Sequence, residues 1–155
     1  MPKLQVGDRA PHFTLPDQHG TPVALADLIG TKHLVLFFYP KDETPGCTIE
    51  ACAFRDSYQV FQDAGAEVVG ISSDSVASHL SFAQNRNLPY RLLSDADGAI
   101  RKMYDVQPSM LGLLPGRETF LIDKDGIIRH RFASQIMFDR HIDEALKHLQ
   151  AMIVT

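Results

Sequence analysis

The sequence predicts an α/β fold, a central mixed β-sheet flanked by helices and preceded by an N-terminal β-hairpin. Three observations carry that expectation. The run Leu34-Val35-Leu36-Phe37-Phe38-Tyr39 is apolar on both alternating faces, as a strand covered on two sides must be. Downstream, stretches of helical period alternate with short apolar runs. The chain then closes with two neighbouring strands and an amphipathic helix, which together make a layered α/β arrangement. With 155 residues, 45% of them hydrophobic, the chain is long enough to bury a core without disulfide staples. No repeat, low-complexity tract or linker divides it, so residues 1–155 read as a single domain.

The elements follow in order. Phe13-Thr14-Leu15, the turn formers Asp17-Gln18-His19-Gly20 and Val23-Ala24-Leu25 make the hairpin. Residues 34–39 form the central strand, which Pro40 stops. After the loop 41–46 the period changes. Cys47, Ala51, Phe54, Tyr58 and Phe61 recur at spacings of four and three, predicting one helix from 47 to about 65 with its aromatic residues in the core. Residues 67–72, through Val68-Val69-Gly70-Ile71, form a second buried strand. Asp74 or Ser75 caps a helix running to about Asn87, with Val76, Leu80 and Ala83 facing inward. A short strand covers 90–94, and the Asp97-Gly98 turn leads to a brief helix over 100–104. The loop 106–116 carries Met110, Leu111, Leu113 and Leu114, read as a packed apolar lid, with an exposed docking patch as the alternative. Strands over 119–122 and 127–132 flank the turn Asp123-Lys124-Asp125-Gly126. A last helix uses Ile142, Leu146 and Leu149. A strand, then a loop, then a cysteine opening a helix is the thioredoxin-like arrangement, although the cysteine spacing here is not Cys-x-x-Cys.

Charge narrows the function classes. Fifteen Lys and Arg against nineteen Asp and Glu leave a net charge of −4, which gives nucleic acid no basic face to bind. The longest apolar run is too short to cross a bilayer, so no membrane partner is expected. The start Met1-Pro2-Lys3-Leu4-Gln5 has neither an apolar signal core nor the Arg/Ser-rich character of a transit segment. A cytoplasmic location is therefore the expectation, with the chloroplast as the alternative for a form that has lost a transit peptide.

The chemistry concentrates at Cys47 and Cys52, the only two cysteines. Cys47 opens its helix after Thr44-Pro45-Gly46, where unpaired amides and the helix dipole favour an anion. A thiol so placed loses its proton more readily, and the thiolate is the nucleophile. Thr44 supplies a hydroxyl able to donate to the sulfur or to a bound oxygen. Pro40 and Pro45 stiffen the loop, and Pro40 shields one side of it. In a regular helix the two cysteines are about 140° and 7.5 Å apart, placing their Cα atoms about 8.6 Å from each other. A disulfide tolerates at most about 7 Å, so bonding them requires the first turns to unwind. The pair is a poor staple and a good two-state switch. A metal fits worse: neither cysteine has a histidine at ligand spacing, and His12, His19, His33, His79, His130, His141 and His148 are scattered along the chain. Glu50, Arg55 and Asp56 read as helix-surface pairs, with tuning of the site by Glu50 and Arg55 as the alternative.

The run Phe38-Tyr39-Pro40-Lys41-Asp42-Glu43-Thr44-Pro45-Gly46-Cys47-Thr48 resembles the active-site segment of the peroxiredoxins, whose signature is Pro-x-x-x-Thr-x-x-Cys. Its continuation Glu50-Ala51-Cys52-Ala53-Phe54-Arg55-Asp56 is similar to the peroxiredoxin Q, or bacterioferritin comigratory protein, branch. So are Gly70-Ile71-Ser72, Leu88-Pro89-Tyr90, Leu92-Leu93-Ser94-Asp95 and Gly116-Arg117-Glu118-Thr119-Phe120-Leu121-Ile122-Asp123. The loop Leu113-Leu114-Pro115-Gly116-Arg117 is most like the cyanobacterial and chloroplast members. The resemblance implies a thiol peroxidase without cofactor or metal, acting on hydrogen peroxide and organic hydroperoxides. Cys47 would be peroxidatic, becoming a sulfenic acid. Cys52 would be resolving, giving an intrachain disulfide that thioredoxin or a glutaredoxin-like protein reduces. Thr44, Cys47 and Arg117 would bind the peroxide, Pro40 would shield it, and the protein would be a monomer. Two rivals stay open at this point: a thioredoxin-like disulfide carrier, which the Cys-x-x-x-x-Cys spacing disfavours, and a redox sensor using the same switch.

Overall fold

A computed structural model of the chain describes residues 4–108, 116–134 and 137–154. The hairpin is β1 (Thr14–Pro16) paired antiparallel with β2 (Pro22–Ala24). The central sheet contains β3 (His33–Phe38), β4 (Ala66–Ser72), β5 (Arg91–Ser94), β6 (Glu118–Ile122) and β7 (Ile128–Ala133), in the spatial order β5-β4-β3-β6-β7. Strands β3, β4 and β5 run parallel, while β6 is antiparallel to both β3 and β7. The helices are α1 (Leu25–Leu28), α2 (Pro45–Asp56), α3 (Tyr58–Asp63), α4 (Val76–Arg86), α5 (Ala99–Met103) and α6 (Phe138–Val154). None of the described helices is long and apolar enough to cross a membrane.

Strand β3 organises two cores, one on each face. Val35, Phe37 and Tyr39 pack with Ala51, Phe54, Phe61, Phe82, Ile142 and Leu149 under α2, α3, α4 and α6. Leu34, Leu36 and Phe38 pack with Phe13, Leu25, Leu28, Tyr104 and Phe120 on the side of the hairpin, α1 and α5. All six residues from Leu34 to Tyr39 are fully buried, each large apolar side chain stabilising the fold by about 1.5–3 kcal/mol. The Phe37 ring fits because residue 70 has no Cβ: one built there would lie 2.7 Å from Phe37 Cζ.

Three elements depart from the sequence reading. The helix expected over 47–65 begins two residues earlier and breaks at Ser57. Pro45 starts it because its fixed φ suits the first helical position and its missing N–H would have no partner there. Phe54 and Phe61 pack across the break with ring centroids 5.8 Å apart. On α4 the buried residues are His79, Phe82 and Ala83, while Val76 and Leu80 are only half-buried. Leu25 leaves the hairpin to open α1, where the Asp27 carboxylate accepts from the Ala24 N–H at 3.0 Å. The apolar residues Met110, Leu111, Leu113 and Leu114 lie outside the described residues.

Candidate active site

The loop leading to the cysteine helix is held from below by Asp42. This carboxylate accepts from Tyr39 Oη at 2.5 Å and Ser78 Oγ at 2.8 Å, and lies 2.7 Å from His79 Nδ1. The Asp42 N–H donates to Asp74 Oδ2 at 2.8 Å. His79 Nε2 faces the Leu93 carbonyl at 3.0 Å, so α4 carries a histidine on its core face with acceptors at both nitrogens. Glu43 adopts φ of +63°, a left-handed turn that aims the next residues into α2. Thr44 is the N-cap with an extended backbone, and its carbonyl accepts from the Thr48 N–H at 2.9 Å. Its hydroxyl donates to the Lys41 carbonyl at 2.8 Å rather than to the sulfur, so the donor anticipated for Cys47 is committed elsewhere. Pro40 is half-buried beside the fully buried Tyr39.

Cys47 is the third helical residue, 1% exposed, with a free thiol. The amides of Gly46 and Cys47 belong to the first turn, where no intrahelical acceptor exists. Arg117, immediately before β6, brings Nη2 to 3.3 Å from Cys47 Sγ and Nη1 to 2.6 Å from Glu50 Oε1. Cys47 and Glu50 are three apart and therefore share a helix face, which is why one guanidinium reaches both. Its far side lies against the Phe138 ring, 4.8 Å from the centroid. Burial lowers the Arg117 pKa, but the charges of Glu50 and Cys47 outweigh this and hold it above its ordinary value.

Glu50 is fully buried, and burial pushes its carboxyl up to about 7 against the downward pull of Arg117. Its Oε2 lies 3.4 Å from His141 Nδ1 and has no hydrogen bond among the described residues. His141 Nε2 is 2.9 Å from the Ser134 carbonyl and so donates to it. Nδ1 is then left to accept from Thr119 Oγ1 at 2.8 Å. Burial drives the histidine down to about 4, so it is neutral near pH 7. Arg101 braces the same region: Nη2 donates to Tyr39 O at 2.7 Å and Nη1 to Gly116 O at 2.5 Å. It thereby ties the end of β3 to the residue preceding Arg117.

Cys52 is half-buried with a free thiol, in the same unbroken helix as Cys47. The conformation is thus one in which the two sulfurs sit on separate turns. Tyr90 Oη donates to the Ala51 carbonyl at 2.6 Å, and Phe54 stacks on Phe37 at 4.5 Å, both anchoring the middle of α2. Of the residues singled out from sequence, Cys47 and Arg117 are brought together, Thr44 and Pro40 lie in the loop leading to them, and Cys52 stands apart. The surface-pair reading holds for Arg55, which contacts Asp56 and the Arg86 carbonyl, and is corrected for Glu50, which is buried against Arg117. The signal was present, since Glu50 lies on the stripe of Cys47, Ala51 and Phe54. Asp42, His79, Arg101 and His141 carried no comparable signal.

The AhpC/TSA family matches residues 6–131. The chloroplastic peroxiredoxin Q of Sedum lineare is 51% identical over 150 residues, spanning 97% of this chain and 80% of its own length. That of Arabidopsis thaliana is 52% identical over 149 residues, spanning 96% and 68%. Among solved structures, peroxidoxin BcpB of Mycobacterium tuberculosis superposes with a TM-score of 0.89 at 43% identity, covering 96% of this chain and 98% of its own. A cysteine-to-serine variant of Xylella fastidiosa peroxiredoxin Q gives 0.88 at 33% identity, covering 98% and 99%. The relatives matched are chloroplastic peroxiredoxin Q proteins, which overturns the cytoplasmic expectation. By sequence and by fold, the chain belongs to the AhpC/TSA family and within it to the peroxiredoxin Q group, and it is a thiol peroxidase of the thioredoxin-dependent class.

Proposed function

We propose that Cys47 is the peroxidatic residue and Cys52 the resolving one, in a single-domain, monomeric enzyme. The carrying observation is the Arg117 guanidinium bridging Cys47 Sγ and the buried Glu50 carboxylate. The Cys47 thiolate attacks the terminal oxygen of the peroxide. An S–O bond forms, the O–O bond breaks, and the leaving alkoxide or hydroxide takes up a proton to depart as alcohol or water. Arg117 Nη2 stabilises the charge as it moves from sulfur to the leaving oxygen. Thr44, its hydroxyl donating a hydrogen bond to the Lys41 carbonyl, offers oxygen lone pairs to the O–H of the incoming peroxide. Pro40 limits water on the loop side.

The sulfenic acid then condenses with the Cys52 thiol, forming the disulfide and releasing water. Thioredoxin or a glutaredoxin-like dithiol restores both thiols by exchange. Both sulfurs come from one helix, so no second copy is required. The test is mass mapping after one equivalent of hydrogen peroxide, followed by thioredoxin-coupled turnover. A Cys47–Cys52 bond is expected, with Cys47→Ser inert and Cys52→Ser reacting once but failing to recycle with thioredoxin. Normal steady-state turnover by Cys52→Ser would remove the resolving role.

A further inference from the structure

The histidines that look scattered along the chain are not all scattered in space. His130 on β7 meets Glu144 and His148, which stand one helical turn apart on α6. Glu144 Oε2 lies 3.0 Å from His130 Nε2 and 3.5 Å from His148 Nε2. The two rings stack with centroids 3.5 Å apart and planes 14° from parallel. From these three side chains we propose a binding site for one divalent transition-metal ion of the zinc, nickel or copper kind, joining β7 to α6.

The ligand atoms all lie within 4.8 Å of one another. An ion held at about 2.0–2.2 Å from each demands separations no greater than roughly 4.4 Å, which a small rotation of the more exposed His148 supplies. Side-chain exposures of 22% for His130, 18% for Glu144 and 37% for His148 give the ion a path from water and leave a position for solvent ligands. Arg140 Nη2, 3.2 Å from Glu144 Oε1, orients the carboxylate from behind, the supporting role that outer partners play at metal sites. Two imidazole nitrogens and one carboxylate oxygen suit zinc, nickel or copper, whereas calcium and magnesium take oxygen ligands. The other cluster of this kind among the described residues, Asp42, Asp74 and His79, is already engaged in hydrogen bonds to Tyr39, Ser72 and Ser78.

The test is a calorimetric titration with zinc chloride on the full-length Cys47→Ser, Cys52→Ser protein, so that thiols do not compete. One saturable ion per chain is expected. His130→Ala and the milder His148→Gln, each confirmed folded by circular dichroism, are expected to weaken binding at least tenfold. Zinc is also expected to slow amide exchange in residues 140–150. Absence of saturable heat, unchanged affinity in either histidine variant, or equal binding of calcium chloride overturns the proposal.

Discussion

Arg117 performs two tasks with one planar group, holding Glu50 at 2.6 Å and the Cys47 sulfur at 3.3 Å. A lysine keeps the charge but has no fork to span both. Arg117→Lys is therefore expected to lower the rate of reaction with hydrogen peroxide about 100-fold or more, the usual cost of losing one donor to a developing charge. Stopped-flow oxidation measures this, and the retained cation keeps Glu50 from standing unpaired. Gly46 is a second sensitive position. A Cβ there would lie 2.6 Å from Phe138 Cζ and 3.3 Å from Arg117 Nη2. Gly46→Ala should displace both side chains, costing about 1–3 kcal/mol in stability together with a loss of peroxide reactivity, read by urea denaturation and the same oxidation assay. Cys47 and Arg117 stood out in the linear motif, whereas for Glu50 the sequence favoured the helix surface and offered tuning of the site only as the alternative. A carboxylate on a helix ordinarily faces water, and its buried state here depends on an arginine 67 residues away.

At the level of elements, the proposed cycle asks α2 to present an anion site at its first turn and also to come apart when its two cysteines join. Oxidation should speed amide exchange across residues 47–55, because the helical separation of about 8.6 Å exceeds what a disulfide allows. Equal exchange in the reduced and oxidised proteins would contradict this. The Tyr90 hydroxyl on the Ala51 carbonyl opposes that unwinding. Tyr90→Phe removes one buried hydrogen bond, so a loss of about 1 kcal/mol is expected by urea denaturation, with faster exchange of α2 already in the reduced protein. The periodicity that revealed α2 also concealed its end. Cys47, Ala51, Phe54, Tyr58 and Phe61 keep one rhythm straight through Ser57, and only the Ser57 backbone, at φ −100° and ψ 3°, marks the interruption. The short α1 was lost for the opposite reason, since four residues are too few to display a period.

In the whole molecule, the site stands where the end of β3, the approach to β6 and the start of α6 converge, with Arg101 joining the first two. The pattern of residues 34–39 told which strand is covered on both faces, but strand order depends on contacts between distant segments that no local pattern records. The same convergence buries two titrating groups side by side, and their effects on stability oppose each other. Glu50 titrates near 7 in the folded protein against 4.5 for a free carboxyl. Its contribution is fully present below about pH 4.5 and is lost as pH rises through 7. His141 titrates near 4 against 6.5, so its contribution is present above pH 6.5 and is lost as pH falls toward 4. Each shift corresponds to about 3 kcal/mol, and over the shared window from about 4.5 to 6.5 one gain offsets the other loss. Glu50→Gln should expose the histidine alone, giving a protein that weakens relative to wild type as pH falls from about 7 toward 4.5. His141→Gln should expose the carboxyl alone, giving one that strengthens relative to wild type as pH falls from 6.5 toward about 4. Urea midpoints measured across this range decide the matter: parallel pH profiles for all three proteins would show that neither group titrates in the folded state as its surroundings require.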